Sequence, residues 1–257
     1  MVNVYLILHE HWDPAWAFRR RHTVPLVPRL IERVLEMLRR YPSYKFVLDG
    51  QTYVLREYLS RLPPEEAGAR AREISRYVRE GRLRVGPFYS QIDWNLTDGE
   101  VWIRNLLIGH RDSEELGGVM KVGWLIDIFG FPDAAPRVLR GFGITSAFIS
   151  RGLGVERERV RDAFLWRSSD GSEVLCLYLL ESYRNALRLG RYPELAEDRV
   201  RGETMALLPY SSTGSTVLLL DGYENMPEAD DVVPVVEELN RGGRVGRVVI
   251  STPEEYA

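Results

Sequence analysis

Short apolar runs alternate with amphipathic stretches along nearly all of the 257 residues of this chain. The apolar runs have the length of buried strands. They span residues 2–8, 45–48, 82–85, 122–126, 146–149, 217–220 and 245–250. Residues 24–40, 65–80 and 99–116 carry apolar side chains at helical spacing, so helices are expected there. The alternation predicts an α/β fold with mainly parallel strands.

One region interrupts this alternation. Two strand-like runs, residues 164–166 and 174–178, flank the sequence Ser168-Ser169-Asp170-Gly171. An Asp-Gly pair between such runs is typical of a tight hairpin turn. We therefore predict a β-hairpin that is an excursion from the repeating pattern.

The composition fits one large globular domain. Hydrophobic residues make up 45% of the chain, which permits a sizeable core. The formal net charge of -3 argues against a nucleic-acid-binding surface. Cys176 is the single cysteine, so an intramolecular disulfide cannot form. The first apolar run is too short for a membrane span and lacks signal-peptide features, which predicts a cytoplasmic location and no membrane partner.

The first strand candidate runs into the sequence HEHWDPAW at residues 9–16. Residues two apart on an extended chain project to the same side, so we expect His11 and Asp13 to lie side by side. A neutral imidazole and a carboxylate offer the N and O ligands that suit Zn²⁺. The alternative is a His-rich strand end without a chemical role.

Later strand candidates also end in charged residues. Asp127 follows the run 122–126, Arg151 follows the run 146–149, and Glu224 follows the run 217–220 after Asp-Gly-Tyr. Reactive groups of such folds collect at the carboxyl ends of the strands. A single acid after a strand is also common as a helix cap, so Glu224 could instead begin a helix.

Four segments in this order resemble glycoside hydrolase family 38, the α-mannosidases, and most closely its bacterial and archaeal branch. They are residues 11–16 (HWDPAW), 81–89 (GRLRVGPFY), 99–109 (with Gly99-Glu100 and RNLLIG) and 124–130 (WLIDIFG). The resemblance covers essentially the whole chain. It implies one N-terminal catalytic-type domain over residues 1–257, built as a seven-stranded (β/α) barrel-like fold.

The resemblance also implies roles for individual residues. His11, Asp13 and Asp127 would ligate one Zn²⁺, and Asp127 would also attack the anomeric carbon of an α-mannoside or a mannose-containing oligosaccharide. Glu224 falls at the general acid/base position of this retaining mechanism, which needs two carboxylates about 5 Å apart. The residues implied in substrate binding are Trp16, Phe129, Arg151 and Tyr183. Arg151 would pair with Asp127.

The chain departs from the family pattern at two positions. Phe131 stands where the family often has a polar residue, and Glu224 is one methylene longer than the usual Asp. Members of the family also continue for several hundred residues beyond the segment that resembles residues 251–256. That later part supplies a histidine as a fourth zinc ligand, and His22 and His110 are expected at the surface or in packing instead.

The shorter chain suggests an incomplete enzyme. We expect a catalytic fragment that pairs with a separately encoded C-terminal part, or a homo-oligomer, because the open site would leave Trp12, Trp16 and Phe129 in contact with water. A noncatalytic carbohydrate- or metal-binding subunit is one alternative. A metal-dependent amidohydrolase beginning at His9 and His11 is another, although such sites use more histidines than the four present here.

Overall fold

The computed structural model describes residues 2–154, 159–225 and 229–257. The strands are β1 (Asn3–Glu10), β2 (Phe46–Leu48), β3 (Leu83–Arg84), β4 (Val122–Leu125), β5 (Ser146–Ile149), β6 (Ala163–Arg167), β7 (Glu173–Tyr178), β8 (Thr216–Asp221) and β9 (Arg247–Ile250). The α-helices are α1 (Arg20–Thr23), α2 (Val27–Arg40), α3 (Tyr53–Leu59), α4 (Pro64–Arg79), α5 (Gly99–Glu115), α6 (Ala135–Gly141), α7 (Pro193–Leu207), α8 (Val233–Gly242) and α9 (Pro253–Tyr256). The predicted strands and the three predicted helices are confirmed, with small shifts at their ends.

The first sheet is built around β1 and is parallel throughout. Its order is β3-β2-β1-β8, and β9 also pairs with β1. β8 pairs with β1 from Asn3 to Leu8, β9 pairs with Asn3 to Leu6, and β2 pairs with His9 and Glu10. β1 is buried over most of its length as a result, as expected for a strand at the centre of a parallel sheet.

The second sheet has the order β4-β5-β7-β6. β6 and β7 are antiparallel and are joined through Ser168 and Gly171, so the predicted hairpin is confirmed. However, β7 also pairs in parallel with β5, and its Cys176 and Leu177 are buried. The prediction that the whole hairpin is an excursion is therefore wrong for β7, which belongs to the parallel layer.

The fold is α/β with mainly parallel strands, and the seven-stranded closed barrel is not confirmed. In the described ranges, strand pairing does not pass from β3 to β4 or from β7 to β8. Hydrogen bonds from loop residues span the two gaps: for example, Met120 N donates to Val85 O at 3.0 Å, and Ala186 N donates to Leu220 O at 2.9 Å.

The helix α9 covers the amino ends of the strands. Thr252 and Glu255 form a capping box at its start, which satisfies two backbone donors that a helix otherwise leaves free. Tyr256 packs edge-on against Tyr5 of β1 at 5.4 Å and contacts Phe148 of β5 at 6.1 Å, measured between ring centroids. Tyr256 therefore contacts a strand of each sheet.

In the part of the chain that the structure describes, no helix is both long and apolar enough to cross a membrane.

Candidate active site

A cavity of about 670 Å³ opens at the carboxyl ends of the strands. The residues predicted from the sequence as catalytic, metal-binding or substrate-binding all line it: His11, Asp13, Trp16, Asp127, Phe129, Arg151, Tyr183 and Glu224. The fold thus brings together residues that are as much as two hundred positions apart in the sequence. Their proximity is a finding, while their individual roles stay predictions.

His11 lies at the floor of this cavity and is 3% exposed. It forms an isolated parallel bridge with Glu224, three residues beyond the last regular pair of β1 and β8, Leu8 with Asp221. Its Nε2 atom lies 3.6 Å from Asp13 Oδ1 and 3.8 Å from Asp127 Oδ2. On the other side of the ring, Nδ1 lies 3.0 Å from Asp49 Oδ1. The imidazole is therefore surrounded by three carboxylates.

These carboxylates favour a positive charge at His11. Burial alone lowers the pKa of His11, but the charge of Asp49, its hydrogen bond, and the charges of Asp13 and Asp127 raise it to about 9. The pKa of Asp13 is raised, first by burial and then, against the effect of His11, by neighbouring carboxylates. Surroundings that stabilise a proton on Nε2 also suit a metal cation there.

Asp127 is held by two side chains from other strand ends. Its Oδ1 atom accepts a hydrogen bond from Arg151 Nε at 2.6 Å, so the predicted pairing of these two residues is present. Its Oδ2 atom lies 3.3 Å from the Tyr183 hydroxyl. The Arg151 guanidinium also lies over the ring of Phe129, 5.0 Å from its centroid. A charge-assisted hydrogen bond from a guanidinium to one oxygen fixes the orientation of the carboxylate.

Tyr183 connects Asp127 with Glu224. Its hydroxyl contacts Glu224 Oε1 as well as Asp127 Oδ2. Because both oxygens lie within hydrogen-bond reach of one atom, they are at most roughly 6 Å apart, close to the spacing of retaining glycosidases and below that of inverting ones. Burial, the hydrogen bond to Glu224 and the charge of Asp127 raise the pKa of Tyr183, so its phenol is neutral.

Glu224 also has an unpartnered oxygen. Among the described residues, nothing hydrogen-bonds to its buried Oε2 atom. Buried polar atoms without partners are rare and are expected where a site binds a ligand. This observation favours a functional Glu224 over the alternative of a helix-start acid, since no helix of the described chain begins at this residue.

The aromatic residues of the site differ in exposure. Trp16 is 70% exposed and Phe129 is 52% exposed, both at the cavity wall. The prediction that Trp12 contacts water is wrong, because its side chain is 1% exposed. Its backbone N–H donates to Asp49 Oδ2 and its carbonyl accepts from Gln51 Nε2. The indole packs in the main hydrophobic core.

Sequence reasoning missed three residues of the site's support. Asp49 follows the run 45–48, so the strand-end rule that found Asp127 could also have found it. Gln91 donates to the carbonyls of Asp49 and Trp124 at 2.7 and 2.8 Å. Asp93 accepts from the backbone N–H of Phe129 at 2.9 Å. Gln91 and Asp93 lie in a loop, where no periodic pattern marks them.

The donor set is compatible with zinc, although the site is not closed around a metal. In the described residues, no three His, Cys, Asp or Glu side chains are grouped tightly enough to hold a metal ion as they stand. The distances from His11 Nε2 to the Asp13 and Asp127 oxygens exceed only slightly the roughly 3.4 Å between neighbouring ligand atoms of a tetrahedral zinc. Zinc binding would need these two carboxylates to close on a common point near Nε2.

Two close carboxylates in an open polar cavity, at the carboxyl ends of parallel strands, are typical of glycoside hydrolases. The chain belongs to glycosyl hydrolases family 38, whose N-terminal domain model matches residues 1–257.

Relatives of known description agree with this assignment. The chain is 30% identical over 248 residues to a putative mannosylglycerate hydrolase of Halalkalibacterium halodurans, covering 91% of this chain and 27% of that protein. It is 30% identical over 171 residues to human alpha-mannosidase 2C1, covering 65% and 16%. An alpha-mannosidase structure from Enterococcus faecalis V583 has the same fold, with a TM-score of 0.87, 23% identity, and coverage of 100% of this chain and 29% of that one. The chain thus spans about a quarter of the length of the bacterial relative.

Proposed function

We propose that this chain hydrolyses α-mannosidic bonds with retention of configuration, in a zinc-dependent site, as a catalytic domain or as part of a larger enzyme. The observation that carries the proposal is the Tyr183 hydroxyl, which contacts both Asp127 and Glu224. It keeps one oxygen of each carboxylate within roughly 6 Å of the other, which supports a retaining mechanism. Membership of family 38 and the names of the relatives support a mannoside as the substrate.

Asp127 is the proposed nucleophile. Its carboxylate attacks the anomeric carbon, the bond to the leaving oxygen breaks, and a covalent glycosyl ester forms on Asp127. Arg151 holds Oδ1 of this carboxylate and leaves its Oδ2 side toward Tyr183 and His11. Water then attacks the ester and releases the sugar with its original configuration.

Glu224 is the proposed acid and base. The Tyr183 hydroxyl has one hydrogen and can donate it to only one carboxylate at a time. When it donates to Asp127, the contact with Glu224 is satisfied if Glu224 carries a proton and donates it to the phenol oxygen. A protonated Glu224 can serve the leaving oxygen, and its ionised form then takes a proton from the attacking water.

His11, Asp13 and Asp127 would hold the metal. Asp49 occupies Nδ1 of His11, so Nε2 is the nitrogen left for a ligand, and it is the one that faces Asp13 and Asp127. A bound zinc ion supplies positive charge that can hold and polarise sugar hydroxyls. Trp16 and Phe129 would offer the aromatic surface on which the sugar ring lies.

We further propose that the working enzyme includes additional protein next to this cavity, beyond the residues of the domain described here. The bacterial relative is much longer than the matched region. Trp16 and Phe129 are large, exposed and close to the cavity, as expected of groups that a partner or a substrate covers. A cytoplasmic location stays a prediction.

A noncatalytic sugar-binding subunit is the second candidate, because the same exposed aromatics would serve binding without turnover. The amidohydrolase hypothesis loses its support with the assignment to family 38.

The test is hydrolysis of an aryl α-mannoside. Proton NMR identifies which anomer of the sugar is released first. The wild-type chain and Asp127→Asn would be compared, with the exposed Asp198→Asn as a matched control. We expect the wild type and the control to release the α-anomer, and Asp127→Asn to be inactive. A first product in the β-form would contradict retention. Mannose binding by calorimetry with no hydrolysis, alone or with a supplied C-terminal part, would establish the binding subunit instead.

A further inference from the structure

Asp49 is an unusual residue for its position. It directly follows β2, is 1% exposed, and has a backbone φ of 47°, in the left-handed region that non-glycine residues seldom adopt. Such conformations persist where the surrounding structure enforces them, and they cluster at functional sites. A buried carboxylate is also costly unless hydrogen bonds compensate it.

Both oxygens of Asp49 are used. Oδ1 lies 3.0 Å from His11 Nδ1. Oδ2 accepts from the backbone N–H of Trp12 at 2.9 Å and from Gln51 Nε2 at 2.6 Å. The carboxylate therefore binds the segment just after β1 at two points, the His11 ring and the backbone N–H of Trp12.

The support of Asp49 extends to the strand that carries Asp127. Gln91 Nε2 donates to the carbonyl of Asp49 and to the carbonyl of Trp124 in β4. Asp127 lies three residues after Trp124. The Asp49 carboxylate thus fixes the His11 ring, and the Asp49 carbonyl is linked through Gln91 to the strand that leads to Asp127.

An imidazole has two nitrogens, and a hydrogen bond to one of them sets which way the other points. With Nδ1 held by Asp49, Nε2 of His11 is aimed at Asp13 and Asp127. A ring turned by half a rotation would present carbon atoms to those carboxylates. The orientation that a metal needs is therefore built into the protein.

We propose that Asp49 is a positioning residue, which holds the His11 ring with Nε2 directed at the metal position between Asp13 and Asp127. The inference rests on the proposed zinc site and names a residue that acts on the metal through His11. Its consequence is that metal affinity depends on a side chain that does not touch the metal.

The test variant is Asp49→Asn, because asparagine also tolerates a positive φ and has nearly the same volume. One side of an amide is a donor. If the amide nitrogen of the new side chain faces His11, the hydrogen bond to a protonated Nδ1 is lost. If this nitrogen instead faces Trp12 and Gln51, it meets two other hydrogen-bond donors and cannot accept from them. The variant keeps the shape of Asp49 and removes its charge and one acceptor.

The matched control is Asp112→Asn. Asp112 is also a buried aspartate, 4% exposed, and it accepts hydrogen bonds from Thr52 and Arg56 away from the cavity. Zinc affinity would be measured by competition with a chromogenic chelator, and thermal unfolding would be followed on the same samples. Loss of a residue that orients a metal-bound histidine typically weakens metal binding by about 10- to 100-fold.

We expect Asp49→Asn to bind zinc at least about 10-fold more weakly than the wild type, and Asp112→Asn to lose stability without that change in affinity. Equal zinc affinity in the wild type and Asp49→Asn would overturn the inference while leaving the zinc site intact. A wild type that binds no zinc would instead contradict the proposed metal site, and the role of Asp49 toward it.

If Asp49→Asn does not fold, Gln51→Met provides the second variant. It removes the hydrogen bonds that Gln51 donates to Asp49 Oδ2 and to the Trp12 carbonyl, and keeps an unbranched side chain of similar length. We expect a smaller but measurable loss of zinc affinity. An unchanged affinity in this variant would count against the positioning role.

Discussion

Asp127 and Arg151 stand at equivalent places on neighbouring parallel strands, and the sheet register sets their ion pair. Leu125 of β4 is paired with Ile149 of β5, and each charged residue lies two positions beyond its member of that pair. The Arg151 Nη2 atom lies 2.5 Å from Asp127 Oδ1. A shift of the register by one residue would turn one of the two side chains away from the cavity.

Arg151→Gln should lower turnover of an aryl α-mannoside by about 10- to 100-fold, because Asp127 loses the group that orients it. Its side chain is 45% exposed, so the melting temperature should change little. Arg167→Gln removes a more exposed ion pair, between β6 and Glu173 of β7, and should leave turnover unchanged. Equal activity of the two variants would show that Arg151 does not act on Asp127.

Glu224→Ala should affect substrates according to their leaving groups. A good leaving group needs little protonation, so activity on a dinitrophenyl mannoside should fall less than activity on an alkyl mannoside, where about 10²- to 10⁴-fold is expected. Azide should restore part of the rate on the activated substrate. A uniform loss across leaving groups, without rescue by azide, would remove Glu224 from the acid/base role.

His11→Ala should abolish stoichiometric zinc binding, because it removes the only nitrogen ligand of the proposed set. Elemental analysis after dialysis against dilute zinc would measure the occupancy. His22 is exposed and outside the cavity, so His22→Ala is the control that should retain zinc. The ligand assignment is wrong if the two variants retain the same amount of metal.

Gly130→Ala should impair both stability and turnover. Gly130 has a φ of 73°, and a Cβ atom there would come within 1.9 Å of Asn95 Nδ2. The strained backbone alone costs about 1–3 kcal/mol in the free energy of unfolding, and its relief would shift the loop after Asp127. Gly141→Ala, in a helix and with open space around its Cβ, should be neutral or stabilising. Thermal melts and mannoside kinetics on both variants check this.

Asp221→Asn should change how stability depends on pH. Burial, and then the charge and hydrogen bond of Asp230, raise the pKa of Asp221 well above its usual value in the folded protein. Its contribution to stability is therefore complete below the unfolded pKa near 4 and is lost as the pH rises toward the folded pKa.

The compared quantity is the melting temperature of Asp221→Asn minus that of the wild type. This difference should accordingly be larger at pH 8 than at pH 5. Asp198→Asn, at an exposed position, should show no such trend. A difference that is the same at both pH values would mean that Asp221 titrates in the folded state as it does in the unfolded chain.

The strands and the main site residues could be predicted because both depend on local pattern. Each apolar run coincides with a strand, and the rule that polar groups follow such runs located His11, Asp127 and Arg151. The same rule applied to the run 45–48 would have located Asp49. Pairing of neighbouring parallel strands brings Asp127 and Arg151 together, whereas His11 follows a strand of the other sheet and reaches Asp127 only through the packing of the two sheets.

Other features depend on contacts between distant segments. The turn at Gly171 identifies β6 and β7 as partners, but it does not say that β5 takes the other edge of β7. The backbone of Trp12 is likewise held by Asp49 and Gln51, which follow β2, while its indole packs in the core. Such choices follow from the assembled core and not from the pattern around each residue.

The position of β1 in the first sheet has a consequence for the way this chain is made. β1 is synthesised before all three of its partner strands, and two of them, β8 and β9, lie far from it along the chain. Pairing over such separations makes folding slow, since a long loop must close before the contacts form. During translation the backbone edges of the apolar β1 segment therefore stay unpaired until β8 and β9 have been made. A chaperone that shields nascent strands should raise the yield of folded protein.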